Sequence, residues 1–186
     1  PNHRFEEDHL RLLRAVRFAA RFGLEFEPIT ASAIASHTSH LARISPERIA
    51  DELRIMLSPP TRDHAWEMLQ RFGLDTIIFR FWELPWKGPH PEIRGSRGVI
   101  LFSQVAAGER ISFGLALAAA TLEYALQRVP SLDRWPDIPV RAAVRAMRQS
   151  LRLSNEEADE MEGALYGLEQ LIKFDLTEAQ LKRFLA

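Results

Sequence analysis

Between Glu6 and Phe22 the residues Leu12, Leu13, Val16, Ala19 and Ala20 recur at three- and four-residue spacings, which places them on one face of a helix. Gly23 predicts a left-handed C-cap for it. Thr30 predicts the cap of a second helix running through about Ala42. Ser45-Pro46 predicts the start of a third, a side-chain cap followed by proline at the first helical position, running to about Leu57 before Pro59-Pro60. A fourth is predicted over Arg62 to Phe72, closed by Gly73. Ile111 to Val129 is the most apolar stretch and is expected to be central. Val140 to Leu151, Asn155 to Lys173 (capped by Ser154) and Glu178 onward (capped by Thr177) complete the pattern. Sustained alternation is missing, and only Thr76 to Trp82 leaves a strand open. The expected fold is all-α. Pro85, Gly88, Pro89, Pro91, Gly95 and Gly98 crowd one segment, which predicts helical domains over 1–83 and 99–186 joined by a loop at 84–98.

Composition narrows the classes. The 186 residues are 46% hydrophobic and 26% charged, a globular balance that argues against disorder. The most apolar run, Phe113 to Leu122, is about half the length of a membrane helix, so no membrane partner is expected. A charged start followed by an apolar segment does not occur, and the expected compartment is the cytoplasm. Cysteine is absent, which excludes disulfides, thiolate metal sites and a cysteine nucleophile. The chain opens on Pro1 and is already charged and patterned by Arg4, as expected of a piece of a longer protein.

Charge adds a second signal. Arginine outnumbers lysine 21 to 3. Base composition of a genome can produce that skew, while the planar guanidinium also suits phosphates and base edges. Arg134 to Arg152 carries a net charge of +4, whereas Ser154 to Gly163 holds five acids and no base. Arg11, Arg14, Arg17 and Arg21 form one stripe on the first long helix, opposite its apolar face. Taken alone, the stripe reads as a solvated face with Glu7–Arg11 and Asp8–Arg11 pairs, each contributing ~0.2–0.5 kcal/mol.

The order of residues carries more than the spacing. Arg4-Phe5-Glu6-Glu7-Asp8-His9-Leu10-Arg11-Leu12-Leu13-Arg14-Ala15-Val16-Arg17-Phe18 resembles the segment that follows the catalytic head of class II tRNA nucleotidyltransferases and bacterial poly(A) polymerases. The likeness continues through Phe22-Gly23-Leu24, Thr30, Ala33-Ile34 and Ile44-Ser45, then Glu47-Arg48-Ile49 and Glu52-Leu53, and fades beyond Leu74. It implies the helical neck and body of an enzyme that adds nucleotides, from ATP alone or from ATP and CTP, to the 3′ end of tRNA or another RNA. It further implies that Asp8 and Arg11 read the base, and that Arg14 and Arg17 bind or orient the nucleotide. Glu47, Arg48 and Glu52 match a second motif, expected to buttress Asp8 or Arg11. The Gly-Ser loop and paired aspartates that bind Mg2+ in the family head do not occur, so no catalytic residue is expected in these residues and the chain alone is expected to be inactive. The His-Asp dipeptide of hydrolase relatives is also absent.

Other candidates are weaker. Arg141, Arg145, Arg148 and Arg152 follow helical spacing and could lie along an RNA backbone, or pair with the acidic helix after Ser154. His37, His40 and His64 lack a designated third ligand and read as surface histidines rather than a metal site. Trp82, Trp86 and Trp135 read as packing anchors. The rival to the enzyme reading is a helical RNA-binding or protein-interaction module without a nucleotide pocket.

Overall fold

The computed structural model describes residues 2–79, 110–126 and 140–173. Among these there are only helices: α1 (Asn2–Glu7), α2 (Arg11–Phe22), α3 (Pro28–His37), a 3-10 turn (Thr38–Arg43), α4 (Pro46–Met56), α5 (Arg62–Arg71), α6 (Leu74–Ile78), α7 (Phe113–Leu126), α8 (Val140–Leu151) and α9 (Asn155–Lys173). The all-α expectation holds. The loop at 84–98, Trp82, Trp86, Trp135, the helix resuming at Val99 and the one after Thr177 lie outside the described residues.

Leu12, Leu13, Val16, Ala19 and Ala20 are buried, and through them α2 packs on α4 and α5. The long first helix expected from Glu6 is corrected, because the chain breaks at Asp8. The Asp8 carboxylate accepts the Leu10 N–H at 3.1 Å. The Arg11 and Leu12 amides then bond back to the Asp8 and His9 carbonyls, at 3.0 and 3.1 Å. A side chain that offers the backbone a local partner starts a helix more readily than it continues one. Gly23, at φ +63, closes α2 with its N–H on the Ala19 carbonyl, as expected.

The second helix starts two residues before Thr30, because Pro28 sets the helical φ of its first turn. It tightens at Thr38, whose hydroxyl donates to the carbonyls of Ile34 and, across the fold, Phe72. Ser45 stands at the N-cap of α4, but its hydroxyl makes no capping bond. Thr76 to Ile78 lie in α6, so the possible strand is overturned there; Gly73, at φ +67, turns the chain from α5 into α6. Val140–Leu151 and Asn155–Lys173 match their predicted bounds. Ser154 and Glu157 form a reciprocal cap, with the Glu157 N–H on Ser154 Oγ (3.1 Å) and the Ser154 N–H on Glu157 Oε2 (2.9 Å).

α7 is buried almost all round and crosses α9 at Gly114, where a β-carbon would run into the Glu157 carbonyl oxygen. One core runs through all the described helices. Phe79 stacks on Tyr124 at 4.7 Å, and the buried Trp66 donates to Glu123 of α7 at 2.5 Å. On the surface, Arg54 of α4 grips Glu157 of α9 with two bonds, of 2.8 and 3.0 Å.

Candidate functional site on the arginine helix

The break at Asp8 shapes the candidate site. Asp8 sits part-exposed in the turn before α2, with Arg48 Nη2 of α4 at 3.4 and 3.5 Å from its two oxygens. Of Glu47, Arg48 and Glu52, Arg48 is therefore the one that faces Asp8. Arg11 bonds through Nη1 to Glu7 (2.6 Å) and to the Arg4 carbonyl (2.9 Å), and the guanidinium holds the Glu7 carboxyl below its ordinary pKa. The Glu7–Arg11 pair is thus formed, and the side chain of Asp8 turns to Arg48. Among the described residues, Arg11 Nε and Nη2 have no partner.

Glu52, expected behind Asp8 or Arg11, stands instead behind Arg14 and Arg17. It is 5% exposed. Arg14 Nε donates to Oε1 at 3.0 Å, and Arg17 Nη1 lies 3.2 Å from Oε2 without the alignment of a hydrogen bond. One buried carboxylate therefore fixes two guanidinia whose outer edges reach solvent. Glu47 is also corrected: its carboxylate faces Arg152 at 3.6 Å, because it lies in the first turn of α4 on the side of α8.

The four arginines of the α8 series part company. Arg141 meets Glu162 at 3.5 Å, Arg148 bonds to Asn155, and Arg152 falls beyond the helix end at φ +51. Arg145 makes no ion pair among the described residues, and there the acids of the helix after Ser154 pair with only Arg141 of the four. Arg145, Arg148, Gln149, Arg152 and Leu153 line a shallow depression of about 460 Å³.

The sequence pattern did not reveal two features. Phe18 and Phe22 point outward on α2. His9, His37 and His40, from three separate elements, meet. The Nδ1 atoms of His37 and His40 are 3.2 Å apart, and the His9 ring lies 4.7 Å from that of His40. Desolvation first, then the charges of Arg43, His9 and His37, lowers the His40 pKa. His64 lies apart from this cluster on α5. Among the described residues no three His, Asp or Glu side chains are arranged to hold a metal ion, and no helix is long and apolar enough to cross a membrane.

Comparison with known proteins converges on one family. Residues 23–84 match the family described as "Probable RNA and SrmB- binding site of polymerase A". The CCA-adding enzyme of Lacticaseibacillus paracasei is 47% identical over 58 residues, 31% of this chain and 15% of that enzyme. The CC-adding tRNA nucleotidyltransferase of Halalkalibacterium halodurans is 40% identical over 78 residues, 42% of this chain and 21% of that protein. The CCA-adding enzyme of Geobacillus stearothermophilus is 39% identical over 75 residues, 40% and 19% respectively. The chain thus spans a fifth or less of most of these relatives, and no solved structure matches it. Over 23–84 the chain therefore matches the family model of a polymerase RNA-binding region, and over stretches of 58 to 78 residues it is 39–47% identical to CCA- and CC-adding enzymes.

Proposed function

We propose that the chain is the base-reading and RNA-binding part of an enzyme that adds nucleotides, from ATP alone or from ATP and CTP, to an RNA 3′ end, tRNA in the first place. The Mg2+ that the chemistry needs is assigned to carboxylates outside these residues. The observation that carries the reading is the shared anchor at Glu52, which fixes Arg14 and Arg17 while leaving their outer edges open beside Asp8 and Arg11.

The complementarity follows from hydrogen-bond inventories. Adenine and cytosine each present an exocyclic amine donor beside a ring-nitrogen acceptor. The Asp8 carboxylate accepts from the amine, and the Arg11 guanidinium donates to the ring nitrogen. Guanine and uracil present the reverse order, so oxygen would meet carboxylate and N–H would meet guanidinium. Both protein groups would then be desolvated without partners, the costliest kind of mismatch. Arg48 holds the Asp8 carboxylate in place, and Glu7 steadies Arg11 from one side only. Arg14 and Arg17 supply positive charge for the triphosphate along the same helix. On the α8 side, Arg145 and Arg148 are assigned to RNA phosphates, with Arg141 and Arg152 flanking them.

The test is nucleotide addition by the full-length protein on tRNA lacking its last one to three residues. A hydrogen bond to a charged group contributes roughly 1.5–3 kcal/mol. Arg11→Ala should therefore lower kcat/KM for ATP and CTP by about one to two orders of magnitude, and weaken rejection of GTP and UTP. If the four ratios stay fixed while Tm drops sharply, Arg11 is a structural partner of Glu7 and the base-reading assignment fails.

A further inference from the structure

The outward ridge of α2 is formed by Arg11, Arg14, Phe18 and Phe22, at steps of three, four and four residues. Phe18 is 48% exposed and Phe22 62%. Their rings are parallel to within 2°, with centroids 6.3 Å apart. The preceding arginine flanks each ring: Arg17 Cζ lies 4.9 Å from the Phe18 centroid and Arg21 Cζ lies 5.9 Å from that of Phe22. From His9 to Leu24 the chain carries four arginines and no acid. Core packing does not account for this arrangement, because α2 already buries its opposite face.

The charge identifies the occupant. An apolar protein surface would be served as well by leucine, and would have to desolvate the guanidinia beside the rings. A single strand of nucleic acid needs both features together. Every base has a flat face to lay on an aromatic ring, and every phosphate needs a cation nearby. We propose that Phe18 and Phe22 form a stacking platform for the unpaired bases at an RNA 3′ end, with Arg21 facing its phosphates.

The position of the platform rests on the base-reading role proposed for Arg11. Phe18 lies seven residues from Arg11, about 10 Å along the helix axis. Stacked bases rise about 3.4 Å each, so three of them span that length. A strand that presents its end to Arg11 therefore lays the bases behind it over Phe18 and Phe22.

The experiment is equilibrium binding of the 186-residue chain to a short single-stranded RNA, and to the same RNA made abasic at its last three positions. Phe18→Leu with Phe22→Leu keeps the surface apolar and all charges intact. Base–aromatic stacking is strong enough that this pair should weaken binding to the intact RNA tenfold or more. It should leave binding to the abasic RNA unchanged, and the salt dependence of both unchanged. Phe18→Tyr with Phe22→Tyr should retain the wild-type affinity. Because both rings are exposed, the Tm of either variant should match wild type. Equal losses on the two RNAs, no loss on either, or no RNA binding by the wild-type chain overturns the platform; no loss on either leaves the rings to a protein surface. Failure of the Arg11 assignment is read separately, from the nucleotide ratios, in which the leucine variants should keep the wild-type order of ATP and CTP over UTP and GTP.

Discussion

Glu52 combines two demands that usually conflict. A buried carboxylate costs desolvation energy, and the cost is offset when cations share it. Arg14 and Arg17 do so, yet 47% and 20% of their side chains remain exposed, so solvent screens much of the attraction. Glu52→Gln should therefore cost only about 1–2 kcal/mol of stability, read as a shift in Tm. Nucleotide addition should suffer more, about tenfold in kcat/KM, because both arginines lose their fixed orientation. A large Tm drop with unchanged turnover would make Glu52 a purely structural residue. His40 gives a second expectation at this scale. Its pKa lies below the ordinary 6.5, so the folded state binds the proton less readily than the unfolded chain. Its contribution is intact above pH 6.5 and declines as pH falls below that value. Arg43, His9 and His37 oppose the proton, and Glu6 favours it weakly. His40→Gln should flatten the fall of Tm on acidification, followed by calorimetry in steps from pH 7.5 to 5. The motif order made Glu52 legible as a buttress. The arginines it holds were not legible, since that depends on how α2 and α4 cross.

Helices that bury a single face advertise it. Leu12, Leu13, Val16, Ala19 and Ala20 gave α2 its packing face, and Val140, Ala143, Val144, Met147 and Leu151 do the same for α8. The break at Asp8 was hidden, because apolar residues on both sides of it, Phe5 and Leu10, still enter the core. Ser45 shows the opposite error: the residue type suits a cap, and its hydroxyl makes none, while Ser154 with Glu157 three residues on does. Among the described glycines, Gly114 is the one whose reason is another element, the backbone of α9. A methyl group there runs into the Glu157 carbonyl oxygen and comes to 2.7 Å from Glu160 Cβ, both on a helix that has its own cap and core packing. Neither atom is the end of a flexible side chain. Gly114→Ala should raise helix propensity by about 1 kcal/mol in isolation. The forced separation of α7 and α9 should outweigh that gain, giving a net destabilisation of about 1–3 kcal/mol by urea unfolding. A stabilised variant would mean that the two helices can separate freely.

At the scale of the molecule, segments far apart in sequence share one core, and a surface clasp adds to it. Arg54 and Glu157 are 103 residues apart, the Glu157 pKa is lowered chiefly by the Arg54 bond, and no sequence pattern joined them. By occupying Glu157, the clasp removes one of the acids that the sequence offered to the arginines of α8. Glu162 meets Arg141, Glu47 takes Arg152 from outside the acidic helix, and Arg148 meets the neutral Asn155. The near-zero total charge of the chain thus conceals a basic face, at Arg145 and Arg148, that no acid among the described residues pairs with. If that face meets RNA, each neutralised phosphate releases condensed counterions, and the slope of log affinity against log salt reports their number. Arg145→Glu with Arg148→Glu should lower the magnitude of that slope by about 0.7–0.9 for each phosphate no longer neutralised, and weaken binding to all sequences alike. Both side chains are exposed and face away from Val144 and Met147, so Tm should change little. The stacking variants on α2 make the opposite prediction, a drop in affinity at constant slope, and the two sets together separate recognition of phosphates from recognition of bases. An unchanged slope in the double glutamate variant would assign the arginines of α8 to solvent, leaving α2 to account for RNA binding among the described helices.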